Sequence, residues 1–492
     1  MYFHTWTFVV FIAVFYPVFL LVRKTPLRDW WLLGASYVFY GWWNPIYLVL
    51  IAYSTAIDYY GVVMMARAPT VRRKKLWLAL SIGNNLLLLG FFKYGAFVAQ
   101  SLTDLLGYLG LPYMVPEPNW QPLVEALNGL FIWTGLPWRI ASLAWLLPAG
   151  ISFYTFVSMS YAIDFYRGHI KPEPSFIRYA TFVALFPHLV AGPIMRAADL
   201  LPQLQSCRRI TRQGVTDGLS LFVMGLFKKL ALADYLALYV NHVYGAKGDV
   251  GVPGQFTGPA LILATVAFGW QIYFDFSGYT DMARGIGRIM GYEFMQNFNH
   301  PYLATGLGDF WQRWHISLST WFRDYVYIPL GGNRKGEVRT YVNMCLTMLI
   351  SGLWHGAAWT FVIWGALHAL GRVLTRHLER QYFWAVSTPR IVKQVLVFAF
   401  VTFAWIFFRS QSLSDAWLVV SRIFTTTWAD PGLPLLAAGL VAMVWAYQFL
   451  IESRLKPVLQ AAPVRVALMS AMIVYLAFIP GSQAQQFIYF QF

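Results

Sequence analysis

Long runs of apolar residues, separated by short polar or basic segments, dominate the chain from residue 6 to residue 480. The main runs cover 6–22, 30–64, 76–111, 143–165, 176–194, 216–243, 259–290, 340–371, 393–408, 433–451 and 464–480. A helix needs roughly 20 consecutive apolar residues to cross a bilayer, and many of these runs reach that length. The pattern predicts an all-α polytopic membrane protein with roughly a dozen transmembrane and re-entrant helices.

Composition supports this class and excludes others. Hydrophobic residues make up 58% of the 492 residues and charged residues only 12%, with a mean hydropathy of +0.52. Soluble domains carry about 25% charged residues. The two cysteines lie far apart in sequence, which argues against a disulfide framework. The chain is therefore expected to have the lipid bilayer as its surroundings and to form one membrane-embedded domain over 1–492.

The net charge of +16 arises from basic clusters such as 72–75 and 208–209. Basic loops of membrane proteins face the cytoplasm, so this charge predicts orientation and not nucleic-acid binding. The segment 1–22 lacks a charged leader and a cleavage site and is expected to be a retained first span. The loop 112–140, rich in Pro, Gly and Trp, is predicted to be periplasmic.

The apolar run 176–194 contains two helix-breaking dipeptides, Pro187-His188 and Gly192-Pro193, and basic segments flank it on both sides. If both flanks are cytoplasmic, the run cannot be a simple crossing. Irregular backbone at membrane depth survives only where protein or a water-filled cavity shelters it. The run predicts a broken or re-entrant helix beside a cavity on the cytoplasmic side.

Three charged residues, Asp275, Asp281 and Arg284, lie inside the apolar run 259–290. Charged groups at bilayer depth cost several kcal/mol unless they are paired or hydrated. They are expected to face the protein interior.

The segment 309–334 is too polar for a lipid-facing span and too aromatic for a solvated loop. Helical spacing places Trp311, Trp314, His315, Leu318 and Phe322 on one side, a set that is aromatic except for the leucine. Another face holds Arg313, Ser317 and Asp324, and Asp309 is placed to pair with Arg313. The pattern leaves two alternatives open, an interfacial amphipathic helix and a helix that lines a polar cavity.

His355 stands in the run 340–371, which contains no Asp, Glu, Lys or Arg. Ionisable groups inside a membrane segment are functional candidates by default, and imidazole suits general-base catalysis near neutral pH. A core histidine satisfied by a backbone carbonyl is the alternative. Gly352 and Gly356, four residues apart, allow a neighbouring helix or an acyl chain to come close. His368 lies about 220° away from His355 on an ideal helix, so it is expected to serve packing.

No spacing of His, Cys and carboxylates resembles a metal site, so no metal is expected. The chain also lacks a Gly-x-Ser-x-Gly elbow and a phosphate-binding Gly loop. These patterns argue against serine nucleophiles and nucleotide hydrolysis.

Four stretches resemble membrane-bound O-acyltransferases, in the bacterial branch that acetylates alginate and cellulose. They are PHLVAGPIMR (187–196), YFDFSGYTDMARGIGRIMGY (273–292), 297–334 with its core FWQRWHISLS, and SGLWHGAAWTFVIWGALHA (351–369). The final FIYFQF (487–492) is also similar to endings in that branch. The motif-bearing core is 187–369. The resemblance implies helices around a central catalytic channel, with a cytoplasmic funnel for the acyl donor and an opposite opening for the acceptor.

The resemblance also implies an activity. His355 in the LWHG motif is the expected catalytic base, with His315 of the RWH motif as its partner. An acetyl group would pass from acetyl-CoA, a substrate and not a tightly bound cofactor, across the bacterial inner membrane to an exopolysaccharide, directly or through periplasmic acetyl-transfer proteins. The residues expected to shape the channel or contact the substrates are Trp311, Arg313, Trp314, Ser317, Ser319, Arg323, Asp324, Asn333, Arg334 and Trp354.

Two alternatives to this activity remain. A polysaccharide or acyl transporter would use Asp275, Asp281 and His355 as a proton relay without covalent chemistry. Within the same family, D-alanyl transfer or lipid acylation is the other possibility. The loop 112–140, with Trp120, Trp133 and Trp138, leaves the acceptor open.

Overall fold

The apolar runs fold into helices, and the described part of the chain contains no β-strand. The structure is a computed structural model that describes residues 1–42, 44–119, 121–134, 148, 150–190, 192–246, 249, 251–432, 434–478 and 487–488. This all-α architecture confirms the predicted fold class, although the number of membrane crossings stays a prediction.

The α-helices of the described residues follow one another along the chain in three groups. The first group is α1 Trp6–Val22, α2 Leu27–Gly41, α3 Tyr47–Arg67, α4 Val71–Leu89, α5 Gly95–Tyr108, α6 Gln121–Trp133 and α7 Ile151–Tyr166. The second group is α8 Phe176–Ala184, α9 Phe186–Leu189, α10 Ala197–Gln205, α11 Arg212–Phe227, α12 Asp234–Tyr244, α13 Gly258–Met290, α14 Leu307–Arg313 and α15 Ile316–Phe322. The third group is α16 Glu337–His355, α17 Trp359–Leu378, α18 Arg390–Arg409, α19 Leu413–Thr425, α20 Leu435–Ile451, α21 Lys456–Leu459 and α22 Ala462–Phe478.

Within the part of the chain that the structure describes, four helical segments are long and apolar enough to cross a membrane: Tyr47–Arg67, Val71–Tyr108, Gly258–Met290 and Arg390–Arg409. The shorter apolar helices are Trp6–Val22, Val124–Trp133, Leu435–Ile451 and Ala462–Phe478. Exposed apolar side chains are frequent on these helices, as a lipid environment requires.

The chain divides into two compact units, Asn44–Pro174 and the combination of Met1–Trp43 with Ser175–Phe492. In the smaller unit, α3, α4 and α7 pack together. Buried Asp58 accepts hydrogen bonds from Ser81 and Asn85, which ties α3 to α4. Of the tryptophans predicted for the periplasmic loop, Trp133 is exposed at the end of α6, whereas Trp120 and Trp138 lie outside the described residues.

The larger unit is built around α13, a helix of 33 residues that is buried along most of its length. It packs against α11 through paired glycines: Gly218 faces Gly285, and Gly225 faces Gly278. A Cβ at any of these four positions would overlap the facing backbone. Small residues at these positions let the two helix backbones approach closely.

The charged residues of α13 do face the interior, which confirms the prediction. Asp275 is 2% exposed and its carboxylate lies 2.8 Å from the Lys229 ammonium group. Asp281 is paired with Lys228 at 2.7 Å and with Arg284 at 3.3 Å. Asp275, Asp281 and Arg284 thus each have a partner of opposite sign, as burial demands.

The predicted break in 176–194 is also confirmed. The run forms a nine-residue helix α8 and a four-residue helix α9, and the described residues between α9 and α10, 190 and 192–196, are not helical. His188, 2% exposed, contacts the Phe182 carbonyl through Nε2 at 3.0 Å. This bond gives His188 a structural role in holding α9 against α8.

The run 340–371 forms two helices and not one. α16 ends at His355, and α17 begins at Trp359 and packs against α16. Gly352 faces Gly365 and the Phe361 carbonyl, while Gly356 faces the Phe361 ring. The close neighbour allowed by these glycines is therefore α17.

Substituting Gly352 by alanine is expected to destabilise the fold by about 1–3 kcal/mol, because the added methyl group would overlap the Phe361 carbonyl oxygen. Gly439→Ala in α20 is the matched control, since nothing lies within 4 Å of its added Cβ. Thermal unfolding in detergent measures both. Equal midpoints for the two variants would contradict this packing.

Candidate active site

The segment 309–334 is not one continuous helix. α14 ends at Arg313, α15 begins at Ile316, and a π-helical turn follows at Arg323–Tyr327. His315, between α14 and α15, has φ +43° and ψ +55°, in the left-handed region. Residues other than glycine enter this region at a cost of about 1–2 kcal/mol, and they do so mainly at functional sites. The helical-face assignment made from spacing was therefore wrong across this break.

The extended segment 297–299 holds the break in place. Asn299 N–H donates to the Arg313 carbonyl, and Ile316 N–H donates to the Asn297 carbonyl, both at 2.9 Å. Within this segment the Asn297 side chain is 1% exposed. Its Oδ1 accepts from the Ser317 backbone N–H at 3.1 Å and from the Ser317 hydroxyl at 2.9 Å.

Asn297 also determines the state of His315. The Nδ1 of His315 lies 3.2 Å from Asn297 Oδ1. Because the Ser317 backbone N–H can only donate, the atom it meets must be the amide oxygen, so Nδ1 of His315 carries the proton. In the neutral ring the basic nitrogen is then Nε2.

Trp354 contacts both candidate catalytic histidines. Its ring centroid lies 6.0 Å from that of His315 and 5.0 Å from that of His355, in edge-to-face geometry. Both histidines are buried, at 0% and 3% exposure. Both histidines thus contact the same indole.

His355 is the last residue of α16, directly before the break at Gly356. Its ring meets Trp364 of α17 at 5.0 Å and Phe408 of α18 at 5.3 Å. At the end of α16 the His355 ring is therefore in contact with aromatic side chains of α17 and α18.

His368 lies beside the same cluster. Its ring is 4.7 Å from Trp364 and 5.1 Å from Trp311, and it is fully buried. Within the described residues neither ring nitrogen has a hydrogen-bond partner. The separation of 220° between His355 and His368 assumed one helix, and the turn between α16 and α17 removes that assumption. Trp364 contacts both rings.

A cavity of about 360 Å³ lies next to these rings. Its lining comes from α14, α15, the π-helical turn, α16 and α17: Gly308, Trp311, Gln312, Leu318, Ser319, Phe322, Arg323, Tyr327, Met344, Thr347, Met348, Ser351, Arg372 and Arg376. Ser351 is four residues before His355 on α16, about 6 Å along the helix axis. Trp311 lines the cavity and contacts Trp364, which also contacts His355.

Three arginines line this cavity. Arg323 is paired with Asp324 at 2.7 Å, and Arg372 is paired with Glu379 at 3.1 Å. Arg376 makes no ion pair within the described residues, and its guanidinium lies 5.8 Å from the Tyr341 ring centroid. The cavity can therefore hold a ligand that has an apolar part, a part that forms hydrogen bonds with hydroxyl side chains, and an anionic part.

The broken segment 176–196 is attached to this site. Ile194 N–H donates to the Ser317 hydroxyl at 3.1 Å, and Arg196 pairs with Asp324 at 2.7 Å. Burial acts to raise the pKa of the Asp324 carboxyl, but hydrogen bonds and charges from Arg323 and Arg196 outweigh it and lower the pKa below its ordinary value. The carboxylate stays ionised at neutral pH and keeps both arginines in place.

The structure sorts the residues predicted for the channel into three groups. Trp311, Ser319 and Arg323 line the cavity. Trp354, Ser317 and Asp324 lie beside it and hold its wall through their contacts with the histidines, Asn297 and Arg196. The other four predicted residues do not line the cavity. Trp314 is buried, with its ring centroid 5.2 Å from that of Trp405, and Arg313 pairs with Asp309 at 2.6 Å and with Glu452 at 2.7 Å. Asn333 and Arg334 are exposed. The Asp309–Arg313 pair predicted from spacing is confirmed.

Sequence reasoning did not single out three residues of this region: Asn297, Arg372 and Arg376. Arg372 directly follows the apolar run and Arg376 lies four residues later, a spacing that places two cations on one helix face. That signal was available. Asn297 gave no local signal, because its role depends on a chain break and on partners elsewhere in the fold.

Comparison with known proteins shows which family the chain belongs to. The model of the MBOAT, or membrane-bound O-acyltransferase, family matches residues 163–414. A protein of Pseudomonas aeruginosa named "Probable alginate O-acetylase AlgI" is 41% identical over 427 residues, covering 85% of this chain and 75% of the relative. A protein of the same name from Azotobacter vinelandii is 40% identical, covering 85% and 77%. A peptidoglycan O-acetyltransferase of Helicobacter pylori is 33% identical, covering 83% and 77%.

The matched range contains both histidines and the whole cavity. The matches to the alginate O-acetylases span most of both chains. The chain therefore belongs to the membrane-bound O-acyltransferase family, in its alginate O-acetylation branch, and is a multi-pass membrane O-acyltransferase.

Proposed function

We propose that the protein transfers an acetyl group from cytoplasmic acetyl-CoA across the bacterial inner membrane for O-acetylation of an exopolysaccharide. The observation that carries this proposal is the cavity, which has arginines in its lining and reaches α16 one turn before His355. A thioester placed in it would have its anionic end near the arginines and its acetyl end toward the histidines.

His355 acts as the general base in this proposal. Its imidazole takes the proton of the acceptor hydroxyl while that oxygen attacks the thioester carbonyl. The carbon–sulfur bond then breaks, and the leaving thiolate takes the proton back from the imidazolium. Each proton that enters the ring leaves it, so the enzyme is restored after every transfer.

His315 positions the reacting groups. Its Nδ1–H is held by Asn297, so the ring orientation is fixed, and its ring contacts Trp354, which also contacts His355. A fixed neutral imidazole orients a hydroxyl or a carbonyl without competing for the transferred proton.

The donor is recognised through its phosphates by Arg376, together with Arg323 and Arg372. Replacing Arg376 by glutamine is expected to raise KM for acetyl-CoA about 10- to 100-fold, because a hydrogen bond to a charged group contributes about 1.5–3 kcal/mol. The turnover number should change less, since the phosphates are remote from the reacting bond. Initial rates of CoA release, measured over a range of acetyl-CoA concentrations, test this.

Arg380→Gln is the matched control, because Arg380 lies one turn further on, pairs with Glu337 and does not line the cavity. A short acetyl thioester without phosphates provides a second control, since its KM should not respond to Arg376→Gln. Equal KM values for wild type and Arg376→Gln with acetyl-CoA would remove Arg376 from donor recognition.

The acceptor in this proposal is an exopolysaccharide of the alginate or cellulose type. Relatives named for alginate and for peptidoglycan acetylation both act on polysaccharides, as their names state. The acetyl group reaches the sugar hydroxyl directly or through a periplasmic acetyl-transfer protein. The single-domain organisation over 1–492 and the periplasmic position of 112–140 belong to the same proposal.

The test compares cells that lack the protein with cells that carry wild type. Ester-bound acetate and the amount of secreted polymer are measured for each polysaccharide. The proposal predicts loss of acetate from one polymer with its secreted amount unchanged, and that polymer identifies the acceptor. Loss of secretion with unchanged acetate content per sugar would instead favour a transporter.

A further inference from the structure

A second cavity, of about 350 Å³, lies where α1 ends and α2 begins. Its lining comes from 23–30, from the start of α8 and from Cys207. Four of the lining residues are cationic, namely Arg23, Lys24, Arg28 and Arg178, and Asp29 is the one carboxylate among them. Neither the proposed acetyl transfer nor its cavity uses these residues.

The pairing within this cavity leaves positive charge uncompensated. The Asp29 carboxylate pairs with Arg28 at 2.8 Å and with Arg178 at 3.0 Å. Arg23 donates to the Arg208 carbonyl at 3.3 Å, and neither Arg23 nor Lys24 forms an ion pair within the described residues. Arg23 and Lys24 therefore carry positive charge that no ion pair among the described residues offsets, which favours an anionic ligand.

Apolar side chains surround this charge. Leu21, Leu27 and Trp30 are 78%, 61% and 61% exposed. They continue the apolar surface of α1, whose last residue, Val22, directly precedes Arg23. Cations next to exposed apolar residues at the end of a membrane helix are typical of the interface, where headgroup and acyl chain meet. A free phosphate would gain nothing from the apolar residues.

We propose that this cavity binds the phosphate headgroup of an anionic phospholipid of the cytoplasmic leaflet. Arg23 and Lys24 contact the phosphate, and the acyl chains lie along Leu21, Leu27 and Trp30. Basic loops mark the cytoplasmic side, and basic pockets there select anionic lipids. Phosphatidylglycerol, an anionic phospholipid, is the lipid used to test this proposal.

The proposed lipid site is joined to the broken helix. Arg28 donates to the Ser206 carbonyl at 3.0 Å and to the Leu204 carbonyl, both at the end of α10. The Thr181 hydroxyl of α8 donates to the Asp29 carbonyl at 3.1 Å. A headgroup bound between these elements stabilises α8 and α10, the helices that precede and follow α9 in the chain.

Cys207 provides a direct reporter, because it lines the cavity and is exposed. Cys345→Ala removes the second of the two cysteines. The purified full-length chain in neutral detergent is treated with a maleimide while phosphatidylglycerol, phosphatidylcholine or inorganic phosphate is titrated. Only phosphatidylglycerol is expected to slow labelling of Cys207 and to raise the thermal midpoint.

The Arg23→Gln/Lys24→Gln variant should weaken this protection about 30-fold, since each cation contributes about 1 kcal/mol near an anionic surface. Arg72→Gln/Arg73→Gln removes the same charge from the start of α4 and should leave the protection unchanged. Trp30→Ala, which keeps every cation, should weaken protection by the lipid. Trp30→Ala also tests the proposal if the Arg23→Gln/Lys24→Gln variant does not fold.

Three results would overturn the proposal: no protection by phosphatidylglycerol, equal protection by inorganic phosphate, or equal weakening in the Arg72 and Arg73 variant. These readouts do not depend on acetyl transfer. The proposed lipid site can therefore be refuted while the proposed activity stands, and the proposed activity can be refuted while the lipid site stands.

Discussion

Replacing His355 by glutamine is expected to lower the rate of acetyl transfer by about 10²- to 10⁴-fold, the usual contribution of a general base. Glutamine preserves much of the volume of the ring among Trp354, Trp364 and Phe408, so the fold should persist. The loss should appear in the turnover number, because His355 acts on the proton in transfer and not on the phosphates of the donor. Release of CoA by purified protein measures the rate.

His169→Gln is the matched control, because its side chain is 62% exposed and it lies outside the motif-bearing core. It should retain the wild-type rate. Thermal unfolding of His355→Gln shows whether the protein is folded. A folded His355→Gln protein with the wild-type rate would remove His355 from the proposed mechanism.

Replacing Asn297 by alanine is expected to have the second largest effect. The substitution removes the acceptor of the Ser317 backbone N–H, the Ser317 hydroxyl and the His315 Nδ1–H, all in buried surroundings. A buried donor without an acceptor costs about 1–3 kcal/mol. We expect a stability loss of a few kcal/mol, together with a turnover number lowered at least tenfold because His315 loses its fixed orientation.

Asn299→Ala separates this role from general damage to the segment. Asn299 is exposed two residues further on, and its backbone contributes the contacts to Arg313. The Asn299→Ala variant should have a free energy of unfolding and a turnover number close to those of the wild type. If both variants behave alike, Asn297 has no special part in holding His315.

Several parts of the fold could be predicted because their physical cause is local. Apolar runs predict membrane helices, and Pro187 and Gly192-Pro193 predict the break after α8. The cost of burying Asp275 and Asp281 predicts their inward orientation, and spacing predicts the Asp309–Arg313 pair. Each of these features follows from residues within one or two helical turns of each other.

The two chain breaks at the site could not be predicted in this way. His315 adopts a left-handed conformation because 297–299 pairs with the chain on both sides of it, and no residue at 314–316 requires this. The reversal between His355 and Trp359 was hidden by an unbroken apolar run. Helical spacing was therefore applied across both breaks, and it misplaced Trp314 and separated His368 from His355. Their contacts depend on distant segments, which a local pattern does not record.

The most direct test of the proposed transfer uses sealed vesicles that contain the purified full-length protein in one orientation. Acetyl-labelled acetyl-CoA is supplied only on the side of the 196–212 loop, and the polysaccharide and periplasmic proteins only on the other side. The proposal predicts label on an acceptor of the opposite side, one CoA released for each acetyl group moved, and neither event with His355→Gln. Acetyl-CoA left intact while the polymer itself crosses the membrane would contradict it.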